Sequence, residues 1–260
     1  MLRPIVMGLG AAGALSAAVV TGVSVTRPEP RTDPRPDSRS ALAATLANAS
    51  DETVCVESNL ALVEGMRAAC YGPAQYEAMR DRAVIGGDGA PVRLSLAHPT
   101  DAAVPAAMAS TCAEYDSLVA EGWGALSGAD MRREAFFQRA CGALTLLVSA
   151  SPARDSHFAG GKAAPEDVRS IAQGDAIAFG EAAPAAAIDV VNAGKGVWKL
   201  SIGQGETIIH EIAHADFTGD GLGEILAYLS VGAAGGTARA GSIGLIEKPA
   251  ANGPCVFKAR

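Results

Sequence analysis

The chain has 260 residues, which is enough for one or two domains with a buried core. Hydrophobic residues make up 49% and aromatic residues 5%, so a wholly disordered chain is excluded and a core of mainly small aliphatic side chains is expected. The formal net charge of -7 argues against nucleic acid as the main partner, because phosphate binding needs a basic surface.

The first element is an apolar segment from Ile5 to Val25 that contains neither charge nor proline. A helix needs about 20 apolar residues to cross a bilayer, so residues 1–26 are interpreted as a transmembrane anchor. A cleaved signal peptide, with Arg3 as its charged start, and a buried core helix are the alternatives. Anchor and signal peptide both place the remaining chain outside the cytoplasm, periplasmic or secreted, and the anchor makes the membrane a partner.

Residues 27–50 are predicted to be a Pro-rich linker. Their first half reads R-P-E-P-R-T-D-P-R-P-D-S-R-S, in which prolines alternate with charges of both signs and no large apolar side chain occurs. Such a composition cannot bury a core and predicts an extended, solvated spacer. It suits a tether between a membrane and a folded domain, and an ordinary disordered N-terminus is the alternative.

Residues 51–193 are predicted to be mainly helical. Apolar residues recur at three- and four-residue steps around Cys112 and again around Cys141, which predicts two amphipathic helices separated by Ser127-Gly128. Helices joined by so short a turn usually pack antiparallel, and this turn lies midway between the two cysteines. The sequence therefore predicts a helical hairpin closed by a Cys112–Cys141 disulfide if the chain is exported; two buried free thiols are the alternative.

Two further helices are predicted in this region. One runs from Asn59 to Cys70 and ends before Gly72-Pro73, and a short one spans Pro165 to Gln173 with proline in its first turn. The chain has five cysteines, so one thiol is left over if the others pair. No C-x-x-C spacing occurs among them, which argues against a cysteine zinc site.

Residues 194–260 are predicted to form a small β meander. Apolar and polar residues alternate there with period two, and Gly-rich turns separate four candidate strands: Val197–Ile202, Glu206–Phe217, Glu224–Val231 and Ser242–Glu247. The expected fold class is therefore α+β, with a helical segment that contains a helical hairpin followed by a C-terminal antiparallel β meander.

The first of two metal motifs in the meander is His210-Glu211-Ile212-Ala213-His214. On a helix, the two histidines would share a zinc ion and the glutamate would activate water, which would make the chain a membrane-anchored zinc metallopeptidase. The preceding residues include two glycines and a β-branched run, which favours a strand. Histidines four positions apart on a regular strand are separated by about 13 Å, too far for one ion. The peptidase is therefore kept as the alternative.

The second motif runs from Asp216 to Glu224, D-F-T-G-D-G-L-G-E. Oxygen-bearing side chains occupy every second position at its start and glycine stands at the sixth, a spacing that can wrap Ca²⁺. The motif resembles the D-x-[DN]-G-D-G-x-x-[DE]-[ILV] loops of FG-GAP and VCBS-type modules. That resemblance implies a Ca²⁺ site formed by Asp216, Thr218, Asp220, the Leu222 carbonyl and Glu224. Threonine at the third position removes a stronger ligand, and a simple hairpin turn is the alternative.

The wider arrangement also resembles uncharacterised exported bacterial proteins, through C-A-E-Y, R-E-A-F-F and A-C-G ahead of the loop and G-G-T after it. This resemblance implies no activity. The sequence therefore favours a non-enzymatic, extracytoplasmic binding or structural module with a Ca²⁺-stabilised loop and an unidentified ligand or protein partner.

Overall fold

The structure is a computed structural model that describes residues 52–57, 60–101, 103–173, 188–236 and 239–260. Within these residues it contains four α-helices and mostly antiparallel sheets, so the predicted α+β class is confirmed. The helices are α1 (Pro73–Met79), α2 (Cys112–Ala120), α3 (Gly128–Ser149) and α4 (Pro165–Gln173). Helix α4 has the predicted bounds, and α2 and α3 contain the two cysteines around which amphipathic helices were predicted.

Four short strands accompany the helices of the N-terminal half. They are β1 (Val54–Cys55), β2 (Cys70–Tyr71), β3 (Leu94–Leu96) and β4 (Ala107–Ala109). Strand β1 pairs with β2 and β3 with β4, in two separate antiparallel ribbons. Regular backbone pairing in this half is therefore limited, and much of the described chain between these elements is turn and loop.

The C-terminal half is an antiparallel meander of six strands in the order β10-β9-β8-β7-β6-β5. Its strands are β5 (Ile188–Gly194), β6 (Val197–Ile202), β7 (Gly205–Ala215), β8 (Glu224–Ala233), β9 (Arg239–Glu247) and β10 (Val256–Ala259). The four predicted strands correspond to β6 to β9, whereas β5 and β10 were not predicted. Each strand pairs with its sequence neighbour, so the sheet forms from local hairpins.

The two faces of this sheet pack against different helices. Helix α3 covers one face, where its Leu144 and Leu147 join Leu226 and Leu245 in a buried cluster that extends into α1 and α2. We call this the first face. Helix α4 and the segment around Phe158 cover the opposite side, where a second cluster is buried. This second face carries apolar side chains of β6 to β10, among them Trp198, Leu200, Ile225 and Phe257.

Two disulfides link the N-terminal half. Cys112 of α2 is bonded to Cys141 of α3, which confirms the predicted pair, and Cys55 is bonded to Cys70 across the β1–β2 ribbon. Cys255 is a buried free thiol whose pKa is raised to about 12, mainly by burial. Because the thiol is buried and protonated, it behaves as a small apolar side chain.

The predicted helix from Asn59 to Cys70 is wrong for the described residues 60–70, in which no helix occurs. Gly65 has a φ of +74°, a left-handed conformation that interrupts a right-handed helix. Val63 instead pairs with Val84, and Cys70 pairs with Cys55 in the β1–β2 ribbon. Tertiary pairing and the disulfide therefore override the local helical pattern.

The prediction of a transmembrane helix has to be corrected. Among residues 52–260, with the gaps given above, no helix is long and apolar enough to cross a membrane. The segment Ile5 to Val25 and the predicted linker at 27–50 lie outside the described residues.

Candidate metal loop and the neighbouring cavity

The Asp-rich loop connects β7 to β8 and begins at Asp216, directly after the last residue of β7. Two glycines allow its tight path, since Gly219 and Gly221 have φ values of +83° and +90°, where a side chain would be strained. Asp216 also forms a bridge with Ser151 at the end of α3, through backbone hydrogen bonds in both directions. The loop is thus fixed to the helical region as well as to the sheet.

The loop brings three acidic side chains together. One carboxylate oxygen from each of Asp216, Asp220 and Glu224 lies within 4.8 Å of the other two. Asp216 and Glu224 are only 6% and 4% exposed, whereas Asp220 is exposed to solvent. The three carboxylates predicted to bind Ca²⁺ therefore converge at one point, two of them inside the protein.

Backbone N–H groups of the loop donate hydrogen bonds to the carboxylates of Asp216 and Asp220, as well as to that of Glu224. Gly219 N–H donates to Asp216 Oδ1 at 2.6 Å, and Gly221 N–H donates to Asp216 Oδ2 at 2.8 Å. Leu222 N–H donates to Asp220 Oδ1 at 2.8 Å. Such bonds define the loop's conformation locally and are those expected of the simple turn that was the alternative to a metal site.

Glu224 returns from the start of β8 to the beginning of the loop. Its carboxylate accepts hydrogen bonds from Phe217 N–H at 2.8 Å and from the Thr218 hydroxyl at 3.2 Å. Burial raises the pKa of Glu224 above its usual range; the two hydrogen bonds oppose this effect, and the nearby Asp220 and Asp216 charges add to it. Loss of water and two neighbouring negative charges therefore disfavour the ionised Glu224.

No cation balances this cluster within the described part of the chain. None of the three carboxylates forms an ion pair within 4.0 Å with a lysine, arginine or histidine among the residues that the structure describes. Arg154 passes nearby, since its Cδ is 3.7 Å from where a methyl group at Gly221 would lie, but it forms no such pair. Up to three negative charges are thus concentrated at the loop.

The other motif, His210 to His214, lies within strand β7, as the β-branched run before it indicated. The pairing of β7 with β8 shifts register between Glu211 and Ala213, so Ile212 is a β-bulge. Across this bulge the two histidines point to opposite faces. The His210 ring lies 6.4 Å from that of Tyr228 at the first face, and the His214 ring lies 6.4 Å from that of Phe158 at the second. The two imidazoles therefore do not share a zinc ion in this arrangement.

The bulge instead places Glu211 and His214 at one cavity on the second face. Trp198 Nε1–H donates to Glu211 Oε1 at 2.7 Å, and burial raises the pKa of Glu211 although this bond opposes the change. His214 Nε2 lies 2.9 Å from the Ser156 hydroxyl, and burial lowers the pKa of His214. His210 also has a lowered pKa, through burial and the positive charges of Arg139 and Arg239.

Three residues beside this cavity were not singled out from the sequence: Ser156, Lys195 and Trp198. Lys195 lies between Gly194 and Gly196 in the β5–β6 turn and has a φ of +53°. The G-K-G triplet between two Val-rich stretches is a hairpin signal that would have located both β5 and this lysine. Nothing local to Ser156 or Trp198 indicates a role, because the contacts of both depend on how distant segments pack.

Comparison with known proteins identifies no relative: no family model, no curated protein and no solved structure matches this chain.

Proposed function

We propose that the chain is an extracytoplasmic, non-enzymatic binding or structural module whose β7–β8 loop is stabilised by Ca²⁺. The observation that supports this proposal is the convergence of Asp216, Asp220 and Glu224 without a balancing cation in the described part of the chain. Grouped carboxylates repel one another and are costly to bury while ionised. A divalent ion with a preference for oxygen ligands would remove both costs.

The proposed ligands are Asp216, Thr218, Asp220, the backbone carbonyl of Leu222 and Glu224. An ionised carboxylate can accept about four hydrogen bonds or metal contacts, so the two bonds at Asp216 and the two at Glu224 leave lone pairs available. Hydrogen bonds from the loop backbone also hold these side chains in place before an ion arrives. Three carboxylates and one hydroxyl suit a hard cation such as Ca²⁺ better than Zn²⁺, which prefers nitrogen and sulfur.

Location outside the cytoplasm is supported by the two disulfides, which persist in oxidising compartments and are rare in the cytosol. The same links support the proposed helical hairpin of α2 and α3. Besides the Cys112–Cys141 bond, the rings of Tyr115 and Phe137 lie 5.3 Å apart, and the Tyr115 hydroxyl donates to Glu134 Oε1 at 3.3 Å. Residues later in α2 thus contact residues earlier in α3, as antiparallel packing requires.

A thermal melt of the purified chain with and without millimolar Ca²⁺ tests the metal site. Extracellular modules typically bind Ca²⁺ with a Kd of about 10⁻⁴ to 10⁻³ M. At ten times the Kd, binding adds about 1.4 kcal/mol to the free energy of unfolding. We therefore expect Tm to rise by about 3–6 °C, and we expect Asp220→Ala to abolish this rise.

His210→Ala is the matched control, because His210 lies on the same strand but contacts Tyr228 at the first face. The Ca²⁺-induced rise in Tm should persist in this variant, and Mg²⁺ at equal concentration should produce a smaller rise. A Tm that is unaffected by Ca²⁺ in the native chain would reduce the loop to an ordinary turn. Stoichiometric Zn²⁺ that is lost in His214→Ala would contradict the proposal and favour the peptidase.

A further inference from the structure

A cavity of about 320 Å³ opens beside the β7 bulge, on the second face of the sheet. The apolar residue of the second face that lines it is Ile225, and the partly buried polar side chains of Glu211 and His214 lie beside Ile225 in its lining. This volume lies at the lower end of the range of small-molecule sites, about 300–1,000 Å³. None of the proposed Ca²⁺ ligands lines it, so a role for this cavity stands whether or not the loop binds metal.

Glu211 is an acid at this cavity that forms no close ion pair with a described residue, although the more distant Lys162 charge and a backbone hydrogen bond from Ala163 favour its ionised form. Its described hydrogen bond to a side chain comes from the neutral Trp198 indole, and no ion pair within 4.0 Å involves it among the described residues. Desolvation disfavours its ionised form. A ligand that carries an ammonium group would supply the missing positive charge and could donate to Oε2.

Two lysines line the exposed part of the cavity. Lys162 forms an ion pair with Glu57 at 3.3 Å, and both side chains are more than half exposed. Lys195 is exposed and forms no ion pair with any described residue. Among the described residues other than glycine, Lys195 is the only one with a positive φ, a strained conformation of the kind that concentrates at functional sites. Its ammonium group is available for an anionic group of a ligand.

Glycines keep the polar wall of the cavity open. A methyl group at Gly196 would lie 3.2 Å from Glu211 Cβ and 3.6 Å from its Oε2, and one at Gly161 would lie 3.0 Å from His214 Nδ1. The Ser156 hydroxyl oxygen accepts a hydrogen bond from Phe158 N–H, and the hydroxyl proton is available for a hydrogen bond to His214 Nε2. In the tautomer in which Ser156 donates to Nε2, the ring proton of His214 is at Nδ1, a donor on the side of the cavity.

We propose that this cavity binds a free aliphatic α-amino acid. The ammonium group of the ligand pairs with Glu211, and its carboxylate accepts from Lys195 and from the Nδ1–H of His214. The apolar side chain of Ile225, on the second face, contacts the ligand's aliphatic side chain. A cation alone leaves Lys195 without a partner, and an anion alone leaves Glu211 without one, so the charges of the cavity favour a zwitterion over either.

Isothermal titration calorimetry with L-valine tests this proposal on the full chain. Two probes each lack one charged group of L-valine: isobutylamine has no carboxylate and isovalerate has no ammonium. We expect L-valine to bind at least about tenfold more tightly than either probe, as the loss of a charge-assisted hydrogen bond implies. Glu211→Gln should weaken L-valine binding about tenfold or more, and Lys195→Gln about two- to fivefold, because Lys195 is exposed.

Lys199→Gln is the matched control for charge, since Lys199 on β6 alternates with Trp198 and Leu200 of the second face and so points away from the cavity. It should leave L-valine binding unchanged, as should Asp220→Ala in the metal loop. A thermal melt of Glu211→Gln distinguishes a loss of binding from a loss of folding. No binding of L-valine by the folded native chain would overturn the proposal, as would equal affinity for isobutylamine or an unaltered affinity in Glu211→Gln.

Discussion

Residues 52–173 and residues 188–260 build their cores by different means. In the described part of the first region no strand exceeds three residues, and both disulfides lie there. In the second region the six strands pair in one ladder, and its cysteine, Cys255, is a free thiol. Loops and short ribbons limit the conformations of the chain only weakly. In the first region the disulfides therefore provide part of the conformational restriction that backbone pairing provides in the meander.

Removal of the Cys112–Cys141 disulfide should produce the largest effect on this comparison. Its sequence separation of 29 implies a loss of about 3.5 kcal/mol in the free energy of unfolding for the Cys112→Ala/Cys141→Ala variant, measured by urea denaturation. Removal of the Cys55–Cys70 bond, with a separation of 15, should cost slightly less, about 3 kcal/mol. Cys255→Ala in the meander should cost only about 1 kcal/mol. Equal losses for all three variants would contradict the difference between the regions.

Packing between the two regions can be tested at Gly142 of α3. A methyl group there would lie 2.6 Å from Ile243 Cγ2 on β9, so Gly142→Ala should cost about 1–3 kcal/mol although alanine favours helices. Gly128→Ala, at the start of the same helix with no atom closer than 3.8 Å, is the control and should change stability little. In an Ile243→Ala background Gly142→Ala should become neutral or stabilising, and additive losses would show that the close contact is not the cause.

The smallest expected effect concerns pH and Glu211. Because its folded pKa is raised above the ordinary value of 4.5, the folded state holds this proton more tightly than the unfolded state. Stability from this group is present below pH 4.5 and is lost as pH rises through the folded pKa. The negative charge of Glu57 raises the pKa of Glu211 further, and the positive charge of Lys162 lowers it. Urea titrations between pH 4 and 8 should give a flatter pH profile for Glu211→Gln and higher stability at pH 7; an unchanged profile would contradict the assignment.

The meander could be predicted from the sequence because its strands pair with their neighbours. Alternation and Gly-rich turns are local signals, and they located β6 to β9 to within a few residues. Helix α4 was predicted for the same reason, since proline and acidic residues mark its first turn. The segment that ends at Cys70 was misread as a helix because its pairing with Val84 and Cys55 depends on distant residues.

The candidate sites differ in the same way. The convergence of Asp216, Asp220 and Glu224 follows from spacing within one loop, so the sequence could indicate it. The cavity could not be predicted, because it depends on a bulge of one residue at Ile212. In a regular strand His210 and His214 would lie on one face; the bulge separates them and puts Glu211 beside His214.

The bulge also identifies where this gene could gain or lose a codon without loss of the sheet. An insertion within a paired strand normally reverses every side chain beyond it. Here Glu211 pairs with Ala227 and Ala213 with Leu226, so Ile212 is accommodated outside the ladder and its carbonyl accepts from Glu57 N–H instead. A chain without Ile212 would retain the pairing of residues 213–215 with β8. It would lose the hydrogen bond from Glu57 N–H, which helps to attach the segment after β1 to the sheet. An alignment gap at this position in a homologous chain would therefore indicate a change in that attachment rather than a different fold.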